Sequence, residues 1–283
     1  MTERILQPIS ELYSGRTGLL VKYASPHYLE AILDYLYEKV DGWDTFQCTL
    51  VDGSASCQLF SNVIEKRNNL VRSSDRQLSP YIDLSANFEN YMSGLPKSFR
   101  ENLKKSQRRL AKMGAISIRH YQEPDELNNF FSAVLSIEHL SWKESAGTSI
   151  TTNQHQEALY RQFLLLAVER GWLMGTVLSL ENKPIAYAMG FVFENIYYNE
   201  KASYDESMKA TGAGSYIYYP IIEALYRRGV QTFDFMGKCE EYKMRWTQST
   251  YSRSTWTLYN DSIRGRLVQL KHSLGNALHR NSA

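Results

Sequence analysis

The sequence predicts an α+β fold of the α/β type, in which helices cover a mixed sheet. Three observations predict it. Three consecutive strand-like runs, 172–180, 185–193 and 196–203, are separated by the turn signals Glu181, Asn182, Lys183, Pro184 and then Glu194, Asn195. Two helical patterns precede this meander, and a third follows it behind a loop holding Gly212 and Gly214. Two further strands, 232–236 and 254–259, come after that helix, so hairpin neighbours are mixed with a crossover.

Taken in order, residues 1–95 form a smaller α/β half. It contains a strand-like run at 19–23, an amphipathic helix at about 28–40, an apolar strand at 43–51 and another at 80–84. Residues 96–113 read as one connecting helix: Phe99, Leu103 and Leu110 fall near helical spacing, Pro96 suits a first turn and Gly114 is a stop. The core follows at 114–283. It opens on an alternating strand at 115–121 and a helix carrying Leu127, Phe130, Phe131, Val134, Leu135 and Ile137. A second helix, 154–170, presents Leu159, Phe163, Leu166 and Ala167 and is closed by Gly171. The chain ends in an amphipathic helix with Ile263, Leu267, Leu270, Leu274 and Leu278 on one side, expected to dock onto the domain.

Composition excludes several classes. Of 283 residues 43% are hydrophobic and 13% aromatic, enough for a packed core and incompatible with disorder. The longest apolar run, 163–168, is far below the roughly 18 residues a bilayer span needs. Glu3 stands near the start with no apolar segment after it, so no secretory leader is expected. Three cysteines without C-x-x-C or ligand spacing imply a reduced, cytoplasmic protein with no bound metal. The net charge of +2 suggests indifference to polyanions, but it is unevenly spread. Residues 96–112 hold Lys97, Arg100, Lys104, Lys105, Arg108, Arg109 and Lys112 against Glu101, a net +6, which leaves −4 for the rest. That helix reads either as a solvated connector or as a contact for phosphates of a nucleotide or RNA.

The loop Lys209, Ala210, Thr211, Gly212, Ala213, Gly214, Ser215 fits a basic-x-x-G-x-G pattern at the start of a helix that ends at Gly229. Glycines let the backbone approach a ligand closely, and the helix start offers unpaired N–H groups. Together these suit a pyrophosphate, with Lys209 as an added charge. The same pattern also reads as a plain turn, and Pro220 interrupts the N–H groups of the helix it opens.

With four local stretches added, the pattern resembles a known family. They are the basic run from Phe99 to Gly114, the helix end Glu138 to Lys143, the glycine loop with its helix, and the run Phe233 to Trp246. The chain is similar to the GNAT acyltransferase superfamily, in particular to its CelD-like, cellulose-biosynthesis branch, which is related to the Fem peptidyltransferases. The resemblance implies a GNAT-like fold, with a C-terminal core preceded by a smaller partial half. It implies that Lys209, Thr211, Gly212, Ala213, Gly214 and Ser215 cradle the pyrophosphate of acyl-CoA or acetyl-CoA, used as co-substrate. Lys243 resembles the lysine that faces the reacting carbonyl in Fem transferases, and Tyr242 a proton donor to the leaving thiolate. Glu200 stands where GNAT enzymes often carry a base. By strand alternation it shares a face with Tyr198 and Ala202, opposite Tyr197, Asn199 and Lys201. Asp234 lies between two phenylalanines, as a further acid of the site or as a buried structural one. Trp142, Lys143 and Arg245 are expected on the acceptor side.

The expected function is N-acyl transfer, acetyl in the first instance, from acyl-CoA to an amine of a small molecule, sugar or peptide. Two alternatives stand beside it. One is aminoacyl-tRNA-dependent peptidyl transfer, with tRNA held by Lys97, Arg100, Lys104, Lys105, Arg108 and Arg109. The other is a non-catalytic subunit of polysaccharide assembly.

Overall fold

The structure, a computed structural model, describes residues 2–8, 18, 25–64, 70–72 and 77–280, with the backbone alone at 64, 70–72 and 276–280. The strand expected at 19–23 lies outside these residues. The strands are β1 (Ile5–Leu6), β2 (Thr45–Val51), β3 (Leu70–Arg72), β4 (Gln77–Asp83), β5 (Ile116–Tyr121), β6 (Leu173–Leu180), β7 (Lys183–Phe193), β8 (Ile196–Tyr204), β9 (Thr232–Asp234) and β10 (Thr250–Tyr259). The helices are α1 (Pro26–Lys39), α2 (Ala55–Ile64), α3 (Phe88–Gly94), α4 (Lys97–Met113), α5 (Leu127–His139), α6 (Trp142–Ser145), α7 (Gln154–Glu169), α8 (Ala213–Tyr216), α9 (Tyr218–Arg227), α10 (Glu241–Met244) and α11 (Ile263–Arg280).

Contacts divide the chain into two units, Met1–Ser79 with Tyr251–Ala283, and Pro80–Thr250. The divisions read from the sequence fell at 95 and 113. In the structure α3 and the basic helix α4 lie inside the second unit, and the last strand and helix join the N-terminal residues. Local patterning cannot reveal that return, because it depends on which strand the chain pairs with last.

In the first unit β2 runs antiparallel to β10, from Thr45↔Tyr259 to Val51↔Arg253, with β1 parallel to β2 and β3 antiparallel to β10. Leu29, Leu33, Trp43, Leu50, Phe60 and Trp256 form its core. Asp44 is fully buried and accepts from Arg4 at 2.8 Å and Arg264 at 3.2 Å. The hydrogen bonds from these two guanidiniums, Arg4 first, hold its carboxyl well below the usual range. Helix α11 packs within this unit, with Arg264 on Asp44 and His272 against Tyr259, but its leucine stripe is not the contact face. Its Gly265 and Val268 are buried, whereas Leu267, Leu270 and Leu274 stay more than half exposed.

The second unit carries the strand order β4-β9-β8-β7-β6-β5, with β8 and β9 parallel and the other pairs antiparallel. The sheet is therefore mixed, as the sequence predicts. Both hairpins of the β6-β7-β8 meander turn on a Glu-Asn pair, Glu181-Asn182 and Glu194-Asn195. All four residues have positive φ, the I′ geometry that matches strand twist. The buried stripe of α4, Phe99, Leu103, Ser106 and Leu110, joins α9 residues Ile221, Ile222 and Leu225 over one face of this sheet. On the other face α5 packs on β6 and β7, and Gly175 leaves room for the Phe130 ring.

Candidate active site

The glycine turn forms where a 3₁₀ segment, Glu206–Thr211, meets α8. Gly212 sits between them at φ +79°, in the left-handed region. Thr211 stays inside the turn, its hydroxyl donating to Met208 O and accepting from Ala213 N. Ala213 is buried in the core. Gly214 is the second residue of α8, in the first turn of a helix, where backbone N–H groups are free of the i−4 ladder. The expected long helix is two segments, α8 and α9. Ile217 between them keeps helical angles, and the interruption arises because Pro220 has no N–H to offer the carbonyl of Tyr216.

Two signals that the sequence kept apart, the basic helix and the glycine turn, meet in the structure. Ser106 of α4 fills the space a side chain at 212 would need, and Arg109 donates to Ala210 O at 3.1 Å. Lys97, Lys104, Lys105, Arg108, Arg109 and Lys112 remain exposed around this contact.

Strand β8 forms the adjoining wall. It pairs with β9 only over Ile196–Tyr198, so one edge of β8 is unpaired with β9 from Asn199 onward. Against β7 its register shifts: Lys201 faces Met189 while Asn199 faces Gly190, leaving Glu200 as the extra residue of a β-bulge. The bulge overturns the alternation expected here. Asn199 bonds toward Tyr218 with Tyr197 packed on the same side, whereas Glu200 meets Tyr160 and Lys201 meets Glu138, both on the α5 and α7 side. Ala202 and Tyr204 pack back toward the α8 and α9 core. Glu200 and Lys201 are thus neighbours on one face instead of opposites.

These elements enclose a cleft of about 650 Å³. Nine of the residues singled out from the sequence line it: Trp142, Lys143, Glu200, Lys209, Gly212, Gly214, Ser215, Tyr242 and Lys243. Burial raises the Glu200 carboxyl to about 7, opposed by a hydrogen bond from Tyr160 at 3.4 Å and by Lys201. Tyr242 is 39% exposed, but its hydroxyl lies against Tyr218 and Glu240, and burial first and these neighbours next raise its pKa. Lys243 is buried. Its Nζ donates to Met236 O at 3.0 Å and Lys238 O at 3.3 Å and pairs with Glu240 at 2.9 Å, so it fastens the 236–240 loop.

Four of the singled-out residues lie outside the cleft lining. Thr211 and Ala213 are the inner face of the turn. Asp234 is fully buried and accepts from the Met236 N–H at 2.8 Å, fixing the positive-φ pair Met236 and Gly237. Arg245 points outward to Glu241 at 2.6 Å.

One group of residues escaped the sequence reading. Glu138, fully buried, accepts from Tyr187 Oη at 2.6 Å and Ile150 N at 2.9 Å. Lys143 and Lys201 approach it at 3.5 and 3.6 Å and both line the cleft. Burial, the largest cause, lowers the Lys143 ammonium to about 8, and Lys201 adds to it while Glu138 opposes. The legible signal was Glu138 itself, an acid on the apolar helix face of Val134 and Ile137. Two more polar atoms of β8, Asn199 Oδ1 and Ser203 Oγ, are buried at this wall without a partner. Among the described residues no group of three or more His, Cys, Asp or Glu is placed to hold a metal ion. No described helix is long and apolar enough to cross a membrane.

A mixed sheet whose parallel pair parts beside a glycine turn is the fold of an acyltransferase of the GNAT type. The chain belongs to this family: residues 97–244 match the family model described as an acetyltransferase (GNAT) domain. Solved structures share the fold. A conserved protein of unknown function from Bacteroides thetaiotaomicron VPI-5482 is 14% identical, over 82% of this chain and 75% of that one, with a TM-score of 0.59. FemX is 12% identical over 89% and 81%, with a TM-score of 0.56. L-PGS from Bacillus licheniformis is 12% identical over 87% and 77%, with a TM-score of 0.54. No curated protein sequence matches the chain.

Proposed function

We propose that the protein transfers an acyl group, acetyl in the first instance, from acyl-CoA to the nitrogen of an amine. The observation that carries this is the single cleft uniting the glycine turn with Glu200, whose burial poises it near neutral pH. The residues fit such a donor. Gly212 and Gly214 put backbone at the cleft surface, Gly214 lies in the first turn of α8, and Lys209 stands beside them, although it also pairs with Glu206 at 2.9 Å. The parting of β8 from β9 leaves a slot with backbone groups on its edge for the extended arm of the thioester.

Glu200 takes the proton of the incoming ammonium. The freed nitrogen lone pair then adds to the thioester carbonyl, the C–S bond breaks, and the sulfur leaves as thiolate. Tyr242 is the candidate donor of the proton the sulfur accepts, and the second proton released from the nitrogen as the amide forms restores the tyrosine hydroxyl. Charge developing on the carbonyl oxygen is met by backbone N–H groups of β8 or by Lys243, which must first give up one of its loop acceptors. Asp234 acts on the site by fixing the turn that carries that loop. Reduced cysteines at 48, 57 and 239 support a cytoplasmic setting. Calorimetry with acetyl-CoA tests the first step: micromolar heat is expected, and none with any acyl-CoA overturns the reading.

A second reading has its own observation. The exposed bases of α4 pack directly beside the glycine turn, so a polyanionic donor such as aminoacyl-tRNA would find a track leading to the cleft. RNA that co-purifies and binds with a steep salt dependence supports it, and indifference to RNA removes it.

A further inference from the structure

We propose that the acceptor carries a carboxylate beside its amine, as an α-amino acid does, and that Lys143 and Lys201 hold this carboxylate while Glu200 receives the ammonium proton. The proposal rests on the acyltransferase reading above and names the substrate class of the same cleft.

The argument begins with the bulge. Because Glu200 is the extra residue of β8, it and Lys201 lie side by side on one face. A proton acceptor and a cation thus stand on adjacent residues of one face, where an amine and a carboxylate of one small molecule can meet them together. The second part is charge. Glu138 is one carboxylate between two ammoniums, and its short bonds go to Tyr187 and Ile150 N, not to either lysine. The lysines donate to carbonyls instead, Lys143 to Ala202 O at 2.7 Å and Lys201 to Thr148 O at 3.4 Å. Carbonyls orient an ammonium without neutralising it. Lys143 and Lys201 are 15% and 10% exposed, so water screens them little.

With Glu200 ionised, Glu138 and Glu200 balance Lys143 and Lys201, while Glu240, which also acts on Lys143, is paired with Lys243 at 2.9 Å. Once Glu200 takes a proton from the acceptor, the wall is left with one positive charge in excess. A carboxylate on the acceptor supplies the balance at that moment. An amine without one would leave that excess unbalanced. Ser203, on the face of Lys201, adds an unpartnered buried hydroxyl to the same wall. The remaining source of such a charge is a carboxylate on the acyl group, which the test separates.

The full-length protein is given acetyl-CoA and each standard amino acid, as free acid and as carboxamide, and thiol release is followed. For the best acceptor, kcat/KM is expected to fall by about 30-fold or more on amidation, the scale of losing a charged hydrogen-bonding partner from a desolvated site. In Lys201→Met and in Lys143→Met the acid-to-amide ratio is expected to collapse toward one. Two variants guard against one that fails to fold, and the wild-type comparison needs neither. Carboxamides used as well as acids, or a ratio unchanged in both variants, overturns the proposal. So does a preference for succinyl-CoA over acetyl-CoA that Lys201→Met abolishes, since the carboxylate then belongs to the donor. If acetyl-CoA itself gives no heat, the acyltransferase reading has failed. Calorimetry with N-acetyl amino acids against their carboxamides then decides the anion site separately: acid preference keeps it, and equal or absent binding ends it.

Discussion

Ser106 of the basic helix occupies the space that a side chain at Gly212 would need, so helix α4 and the glycine turn are built as one piece. A methyl group at 212 would overlap Ser106 Oγ and would also hold a left-handed backbone. Gly212→Ala is therefore expected to lose about 2–3 kcal/mol, from the positive φ and the overlap together. Adding Ser106→Ala removes the overlapping hydroxyl, leaves only the Cβ at 3.3 Å, and keeps chiefly the backbone part of about 1 kcal/mol. Chemical denaturation of the two variants reads the difference, and equal losses would show that the overlap contributes nothing.

Glu200 links activity and stability to pH in opposite directions. As a base it must be deprotonated, so kcat/KM is expected to rise with pH through about 7. Its folded pKa lies above the ordinary carboxylate value of 4.5, so the folded state binds the extra proton between those limits. The stability this supplies is present at low pH and lost as pH rises through about 7. Glu200→Gln is expected to lower turnover by about 10²–10⁴ and to gain stability relative to wild type between pH 5 and pH 8. A variant with a wild-type pH–rate profile would exclude Glu200 as the base.

Lys243 converges three donors on Met236 O, Lys238 O and Glu240. An ammonium matches that arrangement and a planar guanidinium does not. Lys243→Arg is accordingly expected to rescue little of the loss seen in Lys243→Met. Both should lower the thermal midpoint as well as turnover, because the loop from Met236 to Glu240 loses its clasp. Full activity in the arginine variant would show that charge alone suffices there.

Glu138 anchors two buried cations, so removing it alone should cost more than removing all three charges. Glu138→Leu leaves Lys143 and Lys201 facing each other unpaired, at about 3–5 kcal/mol. The triple variant Glu138→Leu, Lys143→Met, Lys201→Met is expected to be more stable than that single one. Urea denaturation decides, and a triple variant less stable than the single one would reverse the charge argument.

What the sequence disclosed and what it withheld divide by range. The stripe Phe99, Leu103, Leu110, the three-strand meander and its two Glu-Asn turns follow from spacing within a dozen residues, and all appear in the second unit. The glycine turn was legible from its own spacing, whereas Tyr242 and Lys243 were picked out only through the family resemblance. The bulge at Glu200 was not, since a register shift belongs to a pair of strands, and it carried Lys201 to the face that alternation had denied it. Glu138 with its lysines gathers residues 138, 143 and 201, a link that only the fold makes. Helix α2 was missed because Ser56, Ser61 and Asn62 dilute its buried set Cys57, Leu59, Phe60 and Val63.

The second unit begins at Pro80 and ends at Thr250, and the Tyr81 N–H donates to the carbonyl of Ser249 at 3.1 Å. Its entry and exit strands are thus already clasped together. The matched family segment, 97–244, lies wholly between them. In engineering terms the catalytic unit is a cassette: its two ends can be joined by a short linker, or opened at one of the Glu-Asn hairpins, without spanning any distance across the fold. The same clasp gives selection a simple handle, because such an insert can be exchanged between host chains while its own strand order stays intact.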